Sequence, residues 1–220
     1  MNDVPPPPPP PPYGSVPPGG GSPDVGTALS YGFSKYFGYF GQVILIILVA
    51  FAAQFIVQIL EILVSSFFLK ILLGIIGLVV SAAVSIGIYN AALMITSGRI
   101  PTIGEAFTSD RWADWIVFSI VYGLMVGIGL ALCIIPGLFV LAFFGMAPYF
   151  FLDRGMSIGE AFTASREAAS RGFAVPVLLS VIVGALGFIA CGIGALITAP
   201  AAYIAVAFLY RGANNQVAAP

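Results

Sequence analysis

The sequence has no histidine, two cysteines and very little charge, with eight Lys or Arg and nine Asp or Glu in 220 residues. Without histidine the chain lacks the commonest general base and the commonest metal ligand. Cys133 and Cys191 stand alone in apolar runs, and their separation fits no metal site. Neither a nucleophile with its base nor a pair of intramembrane acids can be assembled from these residues, so no enzymatic activity and no cofactor is expected. The basic residues are too scattered to follow a phosphate backbone, which argues against nucleic acid as a partner. Met1 to Val4 offers neither the positive stretch nor the short apolar core of a cleavable signal peptide. The first membrane helix is therefore expected to act as its own insertion signal.

What is abundant is apolar: 60% of residues are hydrophobic and 8% charged, against roughly 45–50% and 25% in soluble domains. The lipid bilayer is the expected solvent and the principal partner. Residues 1–23 are the exception, with an unbroken proline run from Pro5 to Pro12 followed by glycine, serine and more proline. That run should hold a polyproline II rod about 25 Å long, tethered through the flexible Gly19-Gly20-Gly21-Ser22 stretch. It reads either as a docking segment for an aromatic-lined groove in a protein partner or as a plain disordered tail.

From Asp24 the pattern turns helical. Val25, Ala28, Leu29, Gly32, Phe33, Tyr36, Phe37 and Phe40 share one face, as in an amphipathic helix lying in the headgroup layer. Spans are then expected at about 41–64 and 70–95, broken near Ser65-Ser66, and at 115–135, ended by Pro136-Gly137. A short span at 138–152 and two more at about 173–191 and 194–210 bring the number to six. Lys35, Arg99, Arg111, Arg154, Arg166, Arg171 and Arg211 fall on one side of this arrangement and only Lys70 on the other. The positive-inside rule then puts both termini in the cytoplasm, with the chain expected as a multi-pass protein of the inner (plasma) membrane.

A repeat organises the membrane domain, residues 24–212, which is followed by a short cytoplasmic tail at 213–220. Val25-Gly26-Thr27-Ala28-Leu29-Ser30 returns as Ile103-Gly104-Glu105-Ala106-Phe107-Thr108 and again as Ile158-Gly159-Glu160-Ala161-Phe162-Thr163. Asp24, Thr102 and Ser157 are placed to cap the three helices, and Glu105 and Glu160 to complete capping boxes. Cys133 to Leu138 aligns with Cys191 to Leu196, and Leu152 to Gly155 with Leu209 to Gly212. The expected fold is an all-α membrane protein of six transmembrane helices, arranged as three parallel-repeat hairpins, each preceded by an interfacial amphipathic helix. The first copy, Gly26 to Gly98, is about twenty residues longer than the other two, with the excess near its outer turn. On the Ile-Gly-Glu-Ala-Phe-Thr helices, the Asp153-Arg154-Gly155 boundary and the Cys191-Gly192-Ile193-Gly194 turn, the chain resembles uncharacterised bacterial six-span membrane proteins. These include actinobacterial proline- and glycine-rich transmembrane proteins and the membrane domain of some glycerophosphodiester phosphodiesterases. The resemblance covers residues 24–212 and implies a fold more than an activity.

Few residues are candidates for chemistry. Gln54, Gln58 and Glu61 share a face of the first span, and Ser81, Ser85 and Asn90 of the second could line the same polar cavity. Alternatively, Glu61 sits at the outer surface and pairs with Lys70. Arg111, Arg154, Arg166 and Arg171 could contact phospholipid headgroups, or form ordinary ion pairs with neighbouring carboxylates. Gly123, Gly127 and Ala131 form one small-residue seam and Gly187, Cys191, Ala195 and Ala199 another, for close helix packing or for a substrate groove. Pro148, Pro176 and Pro200 are candidate kinks, and Cys133 and Cys191, at matching outer turns, a conceivable disulfide. The expected role is a scaffold or accessory subunit of an envelope assembly, with a small-solute or lipid transporter as the alternative. The oligomeric state is left open.

Overall fold

The computed structural model describes residues 24–189 and 194–220, and every regular element among them is helical. Two non-spanning helices are α1 (Val25–Gly38) and the single turn α4 (Ile103–Ala106). The spans are α2 (Phe40–Leu63), α3 (Phe67–Thr96), α5 (Trp112–Leu132), the interrupted pair α6 (Ile134–Phe144) and α7 (Ala147–Arg154), and α10 (Ala195–Ala213). The remaining span is α8 (Ile158–Ala168), running through a wide turn at Ala169–Phe173 into α9 (Ala174–Ile189). Six stretches are thus long and apolar enough to cross a membrane. The chain is an all-α, six-span integral membrane protein.

The helix starts follow their side chains. Asp24 Oδ2 accepts from the Thr27 N–H at 3.2 Å, and Ser157 and Glu160 form a complete capping box, with Glu160 Oε2 2.8 Å from the Ser157 N–H. At the second copy the box is half made. Thr102 Oγ1 accepts from the Glu105 N–H at 3.4 Å, while the Glu105 carboxylate turns towards Arg99 at 3.9 Å. That helix also stops after one turn, so the second interfacial helix is far shorter than the repeat implies. Asn90 of α3 donates to the carbonyls of Ala106 and Thr108 at 3.0 and 3.3 Å and holds the chain out of helical form. The Phe107 ring lies where a side chain on Gly87 would be. Ser109 and Asp110, which compete for backbone hydrogen bonds, favour the turn.

Two span boundaries differ from expectation, each for a proline or glycine reason. The third span ends at Leu132, with Cys133 fully extended, rather than at Pro136-Gly137. Pro136 belongs to the first turn of α6, where its missing N–H removes no bond. Gly137 is not a turn residue; a Cβ there would stand 2.3 Å from Leu130 Cδ2, so its smallness sets the approach of α5 and α6. The fourth span breaks at Gly145-Met146 because Pro148 cannot donate to Phe144. The fifth agrees with expectation: α9 starts at Ala174, and Gly172, whose φ of 103° is open to glycine alone, bends the chain between it and α8.

Pro200 lies inside α10 without ending it. Its absent N–H orphans the Leu196 carbonyl, and the Tyr36 hydroxyl of α1 donates to that oxygen at 3.0 Å. Tyr36→Phe should therefore cost about 1–3 kcal/mol in thermal unfolding in mild detergent. In a Pro200→Ala background the cost should fall below about 0.5 kcal/mol, because the restored backbone N–H satisfies Leu196 within the helix. An equal cost in both backgrounds would break this link.

Helix α1 is docked on a span instead of resting free at a surface. Its buried residues Ala28, Tyr31, Gly32 and Tyr36 face α10, where Tyr31 stacks on Phe208 with ring centroids 4.5 Å apart. The Tyr31 hydroxyl donates to the Ala219 carbonyl at 3.0 Å, and burial pushes its pKa up to about 12, so it stays a donor throughout neutral pH. In the same manner α4 packs on α3, and α8 on α6 and α7. The polar returns and the carboxyl-terminal segment meet at one end of the bundle. Arg111 Nη1 donates to the Met156 carbonyl at 3.1 Å, the Tyr210 hydroxyl to Asp153 Oδ2 at 2.6 Å, and Arg211 to Thr96 Oγ1 and Ser97 Oγ at 2.9 and 2.8 Å. The second and third chain segments end differently: Gly155 stops α7 with φ 61°, whereas α10 passes through Gly212 and turns at Asn215, φ 55°.

Candidate functional site

Polar residues of the first hairpin are split by its register. Ser81 Oγ donates to Gln54 Oε1 at 3.3 Å, which fixes the antiparallel pairing of α2 and α3. Asn90 lies nine residues farther along α3, about 13 Å away at 1.5 Å rise per residue, and is engaged with the α4 segment. Ser85 bonds back to the Ala82 carbonyl. Gln58, Glu61 and Lys70 instead border a shallow depression at the α2–α3 turn, with no ion pair between Glu61 and Lys70. Asn90 and the Gln54, Gln58, Glu61 face therefore occupy two places.

The four arginines are also dispersed. Arg111 is held by Asp114 at 3.0 Å, by the Met156 carbonyl, and by the face of Phe151, 4.6 Å from its ring centroid. Arg154 lies over Phe150 at 6.0 Å. Arg166 and Arg171 border an open depression with Glu167, Ser170 and Phe143. Cys133 is exposed; Cys191, and with it the expected disulfide, lies outside the described residues.

The most developed cavity is built from residues other than these. One aromatic from each of three spans meets in the bundle: Tyr89 of α3, Tyr149 of α7 and Tyr203 of α10, with Tyr89 5.1 Å from Tyr149 and 5.3 Å from Tyr203, both edge-on. The Tyr149 hydroxyl donates to the Tyr203 carbonyl at 2.7 Å. Beside this cluster a groove of 470 Å³ opens between α5, α6, α9 and α10, with Tyr122 on its α5 wall. Aliphatic and small residues complete the lining, and no Asp, Glu, Lys or Arg reaches it. A second cavity of 340 Å³ between α2, α3 and α10 is apolar apart from Tyr203, which forms the wall between the two.

The two small-residue seams differ in packing, although Gly184 and Ala199 of the last hairpin line the groove as well. Gly184 and Gly187 are true packing glycines; a Cβ on Gly187 would stand 2.0 Å from Thr198 Oγ1, and Thr198 Oγ1 donates to the Gly184 carbonyl at 2.9 Å. Gly123 and Gly127 meet nothing within 4 Å, and both line the groove. Sequence reasoning passed over the tyrosines because it ranked charge above hydroxyl. The usable signal was position: Tyr122 and Tyr203 stand near the centres of spans of 21 and 19 residues, away from the interfacial belts where tyrosine normally sits. No family model, no curated protein and no solved structure matches this chain.

Proposed function

We propose that the chain is a non-enzymatic scaffold or accessory subunit of a larger envelope assembly. It lies in the bacterial cytoplasmic membrane with both termini in the cytoplasm. The observation that carries this reading is the length of the first hairpin. Helix α3, at 30 residues, is about 45 Å long against a hydrocarbon core of about 30 Å. Lying wholly within lipid would need a tilt beyond the roughly 40° seen for membrane helices. Its outer end and that of α2 carry exposed Ile62, Leu63, Phe67 and Phe68, 72–81% accessible, beside the unpaired Gln58, Glu61 and Lys70. An apolar tip standing clear of the bilayer calls for a covering protein. The proline-rich segment 1–23 supplies a second contact on the opposite side.

Crosslinking in cells followed by mild-detergent purification tests it. A stoichiometric partner should be recovered with the parent chain and lost with Phe67→Lys/Phe68→Lys, a change at exposed positions that leaves thermal stability intact. Identical recoveries from both would overturn the reading. The transporter alternative draws on the groove. Movement of solute or lipid in reconstituted vesicles, lost on filling the groove with Gly123→Leu or Gly127→Leu, would favour it over the scaffold.

A further inference from the structure

We infer that the groove beside Tyr122 is a binding site for an uncharged amphiphile of the bilayer, an apolar chain carrying a carbonyl oxygen that accepts a hydrogen bond from the Tyr122 hydroxyl. The inference goes beyond the scaffold reading and does not depend on it. A volume of 470 Å³ lies within the range of small-molecule sites, about 300–1,000 Å³.

The mouth decides where the occupant comes from. Gly123 and Gly127 are exposed, and each meets nothing within 4 Å. They lie on a span whose neighbouring Leu124 and Ile128 are 57% and 56% accessible and so face lipid. The groove therefore opens sideways into the bilayer, and bilayer components are the molecules in contact with it.

The lining decides the chemistry. With no acidic or basic side chain, the groove cannot stabilise an ion or a charged headgroup. Val126, Leu141, Val181 and Val206 supply an aliphatic wall suited to a hydrocarbon chain. The hydroxyls are unequal. That of Tyr149 is committed to the Tyr203 carbonyl, and the Tyr89 and Tyr203 rings pack edge-on with centroids 5.3 Å apart. Tyr122 has no hydrogen-bond partner among the described residues, although its ring is fixed by stacking on Phe118 at 6.0 Å. A lone hydroxyl donor in hydrocarbon selects an acceptor, and carbonyls are the acceptors that uncharged membrane amphiphiles carry. Two sources share that chemistry: the ester carbonyl of a neutral glycerolipid and the ring carbonyl of an isoprenoid quinone.

Photolabelling of the full chain in phosphatidylcholine vesicles tests the assignment. The vesicles carry a trace of either a diazirine-bearing diacylglycerol or a diazirine-bearing prenyl quinone, and the crosslinked peptides are mapped by mass spectrometry. Label should fall on α5, α6 and α9, and the stronger of the two probes identifies the source. Gly123→Leu and Gly127→Leu, at positions with room for a side chain, should each reduce labelling at least fivefold, and Tyr122→Phe about threefold. Gly41→Leu, equally unobstructed but on α2, should leave it unchanged. Labelling indifferent to both leucine substitutions, or confined to the outer surface of α2 and α3, would overturn the proposal. So would efficient disulfide crosslinking between chains through Gly127→Cys, which would give the groove to a second copy's helix.

Discussion

Arg211→Ala is expected to lower stability by about 3 kcal/mol and to release the carboxyl-terminal segment. The guanidinium joins three parts of the chain at once. Its Nε donates to Thr96 Oγ1 at 2.9 Å, one Nη to Ser97 Oγ at 2.8 Å and the Leu93 carbonyl at 3.3 Å, and the other to Gln216 Oε1 at 3.1 Å. Beyond that network Ala218 is buried, and the Ala219 N–H donates to the Thr96 carbonyl at 3.0 Å. With the fork removed, the Thr96 and Ser97 hydroxyls and Gln216 Oε1 lose their shared donor and the segment loses its anchor. Arg211→Lys should recover little, because a single ammonium cannot replace a planar fork with several fixed donors. The measurement pairs thermal unfolding with maleimide labelling of Ala218→Cys in a background free of Cys133 and Cys191. Labelling should be slow with Arg211 present and fast without it; equal rates would mean that the segment holds by other contacts.

Gly32→Leu should be more damaging, at more than about 3 kcal/mol, through overpacking against backbone that cannot move aside. A Cβ on Gly32 would lie 2.3 Å from the Ala201 carbonyl oxygen and 3.1 Å from Ala205 Cβ. Relief requires α1 to leave α10, which also breaks the Tyr36 bond to Leu196, the Tyr31 bond to Ala219 and the Tyr31–Phe208 stack. Gly38→Leu on the same helix meets nothing within 4 Å and should be close to neutral. If the two substitutions had similar effects on the melting temperature, the docking of α1 would not be the tight contact described.

Comparison of sequence and structure separates what chain-local physics determines from what three-dimensional contact adds. Apolar runs longer than a bilayer crossing gave six spans, and five of them begin within three residues of expectation, since hydropathy acts on each segment alone. Ser157 and Glu160 formed their capping box because its partners are three residues apart. Helix α4 ended early because of Asn90, on another helix, and no local pattern reports that. Pro136 reads as the end of a span, yet it lies in the first turn of a helix; Pro200 reads as a candidate kink, and Tyr36 supplies the donor it lacks inside α10. The groove was half legible. Gly123 and Gly127 carried the right alternative, but whether a glycine seam packs or lines a space depends on how far the neighbouring helix stands off. The tyrosines come from four different helices and acquire meaning only when their rings meet.

The account rests on six lipid crossings that bring both polar returns to one face of the membrane. Single cysteines at Ser66, Ser109 and Ser170, in a background free of Cys133 and Cys191, can be challenged in intact cells with a membrane-impermeant thiol reagent. Ser66→Cys should react from outside, while Ser109→Cys and Ser170→Cys should be protected until the membrane is opened. Reaction of Ser109→Cys and Ser170→Cys from opposite sides would contradict the arrangement, whatever else the bundle does.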